Sequence, residues 1–168
     1  MNKRARQYIG LLSAILSYYV IHEGAHLVYA IATGTFKAIR FMGLGMQIDV
    51  HAERMTDTRL GVFCLVGSVA TAACAYLLIA LIGQIAKSPS KVLKACAYYI
   101  TIAMLLLDPL YLSILCVFFG GGDMNGISLL IPEAAARISY GILFLIHLAV
   151  FCKAVLPKYQ AAFRDRTS

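Results

Sequence analysis

Ile21-His22-Glu23-Gly24-Ala25-His26-Leu27 is the stretch that decides how this chain is organised, and it lies inside a long apolar run. No charged side chain occurs from Tyr8 to Ile21 before it, or from Leu27 to Gly34 after it. A run of this length without other charges is typical of a membrane-spanning helix. Because ionisable side chains are costly at membrane depth, those present there usually serve a function. The stretch therefore predicts a functional site within the first apolar helix.

The stretch reads H-E-x-x-H, a pattern with a direct chemical meaning. His22 and His26 are four residues apart, so a helix presents both imidazoles on one face. Two neutral imidazoles at this spacing suit a tetrahedral Zn²⁺ ion. Glu23 lies beside them without being needed as a ligand, so it can act as general base toward a water molecule. The alternative is a chance match in an ordinary helix, because the motif fixes only three positions; the apolar setting favours the metal site.

The composition is that of a membrane protein. Of the 168 residues, 61% are hydrophobic and 14% are charged, and the mean hydropathy is +0.78. A soluble domain averages about 25% charged residues. We therefore expect one integral-membrane domain over residues 1–168, with the lipid bilayer as its surroundings. The net charge of +7 does not indicate nucleic acid as a partner, because the basic residues cluster at the edges of the apolar runs.

Four apolar segments predict an all-α membrane protein built as a bundle of about four transmembrane helices. At a rise of about 1.5 Å per residue, about 20 residues cross the hydrocarbon layer. The segments lie at residues 8–33, 60–86, 95–119 and 135–156.

The polar residues 34–59 separate the first two segments. Partial alternation and glycines between Phe36 and Val50 favour a short β-hairpin or extended edge, with a plain connecting loop equally open. An extended edge beside the first helix could pair with an unwound peptide by strand addition.

The basic residues also predict the orientation of the chain. With four spans, the N-terminus, the loop 87–94 and the C-terminal tail share one side, which holds ten of the fifteen Lys and Arg residues. The positive-inside rule makes that side cytoplasmic. We therefore expect a multi-pass protein with both termini in the cytoplasm.

Two histidines leave a catalytic zinc short of protein ligands, since such sites normally use three. Two other histidines are weak candidates, because His51 lies in the polar interlude and His147 suits a hydrogen-bonded core position. The carboxylates Asp108 and Asp123 are better candidates. Counted along its helix, Asp108 lies at the same depth as the H-E-x-x-H motif, and the following proline can aim it inward.

Asp123 comes 15 residues later and reaches the same site only if the glycines at 120–122 fold the chain back. We favour Asp108 as the third ligand and keep Asp123 as the alternative. The carboxylate that is not a ligand would support a histidine or control access to the site.

At this point the chain resembles the site-2 protease family of intramembrane zinc metalloproteases. On that resemblance, His22 and His26 correspond to zinc ligands and Glu23 to the catalytic glutamate. Leu107-Asp108 is similar to the start of the family's L-D-G element, and the Gly-Gly-Asp run ending at Asp123 is similar to a G-S-D-A type element of compact members. The resemblance covers residues 8–126 in order and spacing.

The resemblance implies an intramembrane zinc metalloendopeptidase that cuts membrane-protein substrates within or near a transmembrane helix. A second hypothesis from the residues alone is a membrane metal-binding or transport protein without proteolytic activity, since intramembrane ionisable residues also line ion paths. A third is a structural relative without catalysis, against which the presence of Glu23 argues.

Overall fold

The computed structural model describes residues 2–42, 45–120 and 122–164, which are mostly helical and include one two-stranded sheet. Four helical segments in this part of the chain are long and apolar enough to cross a membrane. They span Lys3–Ala32, Asp57–Lys87, Lys91–Phe119 and Glu133–Arg164. The helical architecture with four candidate spans is therefore confirmed.

The first three helices begin several residues before the predicted apolar runs, because each has a side-chain cap. The side-chain oxygens of Asn2, Thr56 and Ser90 accept hydrogen bonds from backbone N–H groups three residues further on. Such caps satisfy N–H groups that the first turn leaves without partners, so the helix extends into polar sequence. These helices are α1 (Lys3–Ala32), α2 (Asp57–Lys87) and α3 (Lys91–Leu110).

Pro109 changes the course of the third helical segment. A proline has no N–H to donate to the carbonyl four residues back, which here belongs to Leu105. His147 Nδ1 lies 2.7 Å from that carbonyl oxygen and donates to it in place of the backbone. The next turn, Tyr111–Leu115, is a wider π-helical turn, as is common where the regular bonding is interrupted. His147 is therefore a structural core residue.

The rest of the chain folds back over the bundle. A short helix α4 ends before Gly120, whose φ of +92° is one that glycine adopts readily. The remaining helices are α4 (Cys116–Phe119), α5 (Gly122–Ile127), α6 (Glu133–Val150) and α7 (Leu156–Arg164), with a π-helical turn at Phe151–Val155 between the last two.

A β-hairpin follows α1. Strands β1 (Phe36–Met42) and β2 (Gly45–Val50) pair antiparallel, with Ile39 opposite Ile48. Ile48 is buried in the same core cluster as Ala30 of α1. Of the two readings that the sequence left open for residues 34–59, the hairpin is therefore confirmed.

The helices pack through small residues and leave apolar faces outward. The buried residues of α1 are four or eight positions apart, and those of α2 include Gly61, Gly67 and Ala75. Small side chains let helices approach closely. Large apolar side chains such as Leu12, Val20 and Leu145 are more than half exposed, which fits a membrane protein. The stripe of buried residues on α1 comprises Gly10, Ala14, His22, His26 and Ala30.

The chain segments that were predicted to share one side do meet at one end of the bundle. Lys3, Lys91 and Arg164 line a common cavity there. That this end faces the cytoplasm stays a prediction.

Candidate metal centre

The two histidines of the H-E-x-x-H motif occupy consecutive positions in the buried stripe of α1. His22 is 7% exposed and His26 is 3% exposed. Their ring centroids lie 4.9 Å apart. The helix spacing therefore brings the two imidazoles together inside the bundle, as the sequence predicts.

Asp123 joins them because the chain reverses after α4. Gly126 in α5 packs directly against Cys64 of α2, where a side chain would not fit, so α5 lies close on α2. This contact places Asp123 Oδ2 3.0 Å from His22 Nε2 and Oδ1 3.6 Å from His26 Nε2. Ligand atoms of the three residues all lie within 4.8 Å of one another.

The second nitrogen of each imidazole faces an acceptor. His26 Nδ1 lies 2.7 Å from the Phe63 carbonyl oxygen, which can only accept, so Nδ1 carries the proton and Nε2 is free to bind a metal. His22 Nδ1 lies 3.2 Å from Asp108 Oδ1. That contact has the distance of an ion pair without the alignment of a hydrogen bond. His26 therefore has the hydrogen-bonded outer support that metal-binding histidines usually have, whereas His22 has a carboxylate beside its second nitrogen.

Asp108 is held away from the ligand group by other partners. It is 2% exposed, and it accepts hydrogen bonds from the hydroxyls of Tyr18 in α1 and Thr71 in α2. It lies level with His22, as the depth count along the helices predicts, but on the Nδ1 side of the ring. The group that could hold a metal ion therefore contains Asp123, the alternative in the sequence analysis, whereas Asp108 lies beside the other nitrogen of His22.

Gly67 of α2 leaves the space in front of the histidines open. A Cβ atom at this position would lie 2.6 Å from His26 Nε2 and 2.7 Å from His22 Nε2. Any side chain there would fill the region toward which both Nε2 atoms point. The small-residue face of α2 thus contributes space to the site as well as close packing.

The donor set suits zinc. Asp123 approaches the two histidines through different oxygens, with Oδ2 3.0 Å from His22 Nε2 and Oδ1 3.6 Å from His26 Nε2. With one atom taken from each residue, the ligand atoms lie within 4.8 Å of one another. Two imidazoles and one carboxylate form a common catalytic zinc set, which leaves a fourth position for water or substrate.

The electrostatics of Asp123 suit a ligand. It lies outside the four long apolar helical segments. Partial burial disfavours its charged form, but its contacts with His22 and His26 outweigh burial and lower its pKa to about 2. These contacts act while the imidazoles carry protons, and they keep Asp123 a carboxylate at neutral pH.

An open cavity of about 570 Å³ reaches the site. Glu23 is half-buried and lines this cavity together with His22 and Asp123. Residues 45–47 of β2 form part of the same wall, and the Ile48 backbone amide faces Glu23. The predicted general base therefore shares with His22 and Asp123 the wall of a space large enough for part of a peptide.

Three supporting groups were not found by the sequence reading. Tyr18 lies four residues before His22 on the same helix stripe, and Thr71 lies four residues after Gly67, so helical spacing could have indicated both. The Phe63 carbonyl carries no side-chain signal. Of the other histidines, His51 pairs with Glu53 at 2.8 Å near the surface, away from the ligand group.

Comparison with known proteins does not identify a family for this chain. No protein-family model matches the chain, and no curated protein or solved structure matches it. The resemblance to site-2 proteases therefore depends on the motif residues themselves.

Proposed function

We propose that this protein is an intramembrane zinc metalloprotease of the site-2 protease type. It would hydrolyse peptide bonds within or near transmembrane segments of other membrane proteins. The observation that carries the proposal is the convergence of His22, His26 and Asp123 at hydrogen-bonding and ion-pair distances, with Glu23 beside them on an open cavity. A structural protein would have no need for a base in that position.

The chain's own residues divide the work of hydrolysis. Zinc bound by the two imidazoles and Asp123 would polarise the scissile carbonyl and make a water molecule more acidic. Glu23 takes one proton from that water as the water oxygen bonds to the carbonyl carbon. The same carboxyl group then gives the proton to the amine nitrogen as the C–N bond breaks. Asp108 holds the His22 ring in position through its Nδ1 side.

The substrate must unwind before it can react, because the carbonyls of a helix in lipid are bonded within the helix. Strand β2 is paired with β1 on one side, and its residues 45–47 line the cavity that contains Glu23. An extended substrate segment can therefore pair with β2 while its scissile bond faces the ligand group. Helix-breaking residues near the cleavage site should favour cleavage.

The test is cleavage of a single-span model substrate by the purified protein in detergent. We expect wild type to cut and Glu23→Gln to lose activity by at least a thousandfold while retaining one zinc per chain. Glu53→Gln is the matched control, because Glu53 is exposed and lies outside the cavity. Cleavage that survives either Glu23→Gln or removal of zinc by a chelator contradicts the proposal.

The transport alternative predicts a different result in the same preparation. A transporter moves Zn²⁺ into proteoliposomes, whereas a protease retains a tightly bound ion and moves none. Zinc flux that requires His22 and His26, in protein that does not cut substrate, would favour transport.

A further inference from the structure

A second cavity, of about 460 Å³, lies at the opposite end of the bundle from the motif. Its walls come from the start of α1, the start of α3 and the end of α7. From Arg6 on the cavity wall to His22 is 16 residues of α1, or roughly 24 Å along the helix. The cavity is therefore separate from the candidate metal centre.

The lining of this cavity is cationic and aromatic. The described residues that line it include no acidic side chain. Lysines from two separate helices, Lys3 of α1 and Lys91 of α3, thus lie on one concave space. The lining residues are Lys3, Arg6, Gln7, Lys91, Ala95, Tyr98, Tyr99, Gln160, Phe163 and Arg164.

A buried lysine adds to the positive charge behind the cavity. Lys94 is 1% exposed, and its Nζ donates to the Ala162 carbonyl at 2.7 Å and lies 5.9 Å from the centre of the Phe163 ring. Within the described chain no carboxylate pairs with Lys94. Carbonyl and ring contacts stabilise an ammonium group without cancelling its charge. The lysines at and behind the cavity therefore favour an anion.

The position of the cavity indicates what kind of anion. It lies where the apolar segments begin and end, on the same helix α1 whose Tyr8 and Leu12 expose most of their surface. At Gly10, α1 lies directly on Tyr99, so one wall of the cavity is aromatic rather than polar. A ligand with a phosphate group and an apolar tail satisfies both surfaces, whereas a free phosphate satisfies only the cations.

We propose that this basic cavity binds the phosphate-bearing headgroup of an anionic membrane lipid, with Lys3 and Lys91 as phosphate contacts and the aromatic wall beside the acyl chains. Basic pockets between membrane helices commonly serve such headgroups. The site is independent of the proposed proteolysis. A bound lipid would tie the first, third and last helical segments together at this end.

The test measures lipid binding by the full-length purified protein in neutral detergent, by titration with short-chain phosphatidylglycerol. Parallel titrations use phosphatidylcholine and inorganic phosphate. The variant is Lys3→Gln with Lys91→Gln. The matched control is Lys87→Gln with Lys158→Gln, which removes the same charge from exposed lysines outside the cavity. Circular dichroism confirms that each variant is folded.

We expect phosphatidylglycerol to bind wild type and the control alike, and to bind the cavity variant roughly 20- to 30-fold more weakly, given the usual contribution of each lysine. Phosphatidylcholine should bind far more weakly to all three. If lipid binding weakened equally in the cavity variant and the control, the lipid would be attracted by net charge alone, and the proposed site would be overturned. Inorganic phosphate that binds as tightly as the lipid would overturn the lipid as its occupant.

Discussion

Asp108 and Asp123 lie on opposite sides of the same imidazole ring, and their surroundings differ completely. Asp108 faces His22 Nδ1, is almost fully buried, and accepts hydrogen bonds from Tyr18 and Thr71. Asp123 faces the Nε2 atoms of both histidines and lines an open cavity. The partners of a carboxylate, and not only its distance from a histidine, determine what it can do. An oxygen that already accepts a hydroxyl donor on a packed face is suited to orient a ring, whereas one open to a cavity is free to bind a metal.

Among the substitutions that test this comparison, removal of Asp123 should have the largest effect on zinc binding and cleavage. Asp123→Ala takes away one of three protein ligands, so we expect stoichiometric zinc and substrate cleavage both to be lost, with activity at least a thousandfold lower. Metal analysis after purification without chelator measures the first, and the cleavage assay the second. Asp57→Ala is the control, because Asp57 is exposed at the start of α2. If Asp123→Ala retained its full zinc content, the third ligand would have to be another residue.

A methyl group at Gly67 would fill the space beside both Nε2 atoms, on the Asp123 side of the rings, and it would leave every carboxylate in place. Gly67→Ala would bring a carbon to 2.6 Å from His26 Nε2 and 2.7 Å from His22 Nε2, well inside van der Waals contact, so we expect zinc affinity to fall at least a hundredfold. Gly83→Ala lies on the same helix and meets no atom within 4 Å, so it should leave affinity unchanged. Competition with a zinc-binding dye measures both variants. If Gly67→Ala and Gly83→Ala bound zinc with equal affinity, the metal site would not lie in front of the two Nε2 atoms.

Neutralising Asp108 should have an intermediate effect. Asp108→Asn keeps the size of the side chain but removes the charge beside His22 Nδ1. Loss of such outer support typically costs 10- to 100-fold in metal affinity or activity, and we expect a loss in that range with zinc still present at saturating concentration. Asp57→Asn serves as the matched control in the same dye competition. A loss as complete as that of Asp123→Ala would make Asp108 a direct ligand.

Removing one partner of Asp108 should have the smallest effect. Thr71→Val deletes the hydroxyl that bonds to Asp108 while keeping the shape of the side chain. One hydrogen bond is worth about 1 kcal/mol, so we expect zinc to bind about fivefold more weakly. Thr101→Val is an equally buried control, whose hydroxyl bonds to a carbonyl of its own helix. If the two variants bound zinc with the same affinity, the Thr71 hydroxyl would have no part in positioning Asp108.

Much of the fold could be predicted from the sequence because its signals are local. Long apolar runs predict the four helical segments, whereas alternation with glycines left a hairpin and a plain loop after α1 equally open. The helix boundaries were less accurate, since caps such as Asn2 extend a helix through charged residues. The helical spacing of His22 and His26 likewise placed both imidazoles on one face.

The third ligand could not be settled because it depends on contacts between distant parts of the chain. Counting residues placed Asp108 at the correct depth but could not say which side of the His22 ring it faces. The place of Asp123 depends on the chain reversal at Gly120 and on the close contact of Gly126 with Cys64. A count along one helix cannot predict how a short helix packs on another.

The most direct test of the candidate metal centre is zinc-edge X-ray absorption spectroscopy on wild-type protein that was purified without chelators. We predict one zinc ion per chain, with nitrogen and oxygen neighbours at about 2.0–2.1 Å and scattering from two imidazole rings. Absence of stoichiometric zinc, a sulfur neighbour, or a number of imidazoles other than two would contradict the assignment of His22, His26 and Asp123 as its ligands.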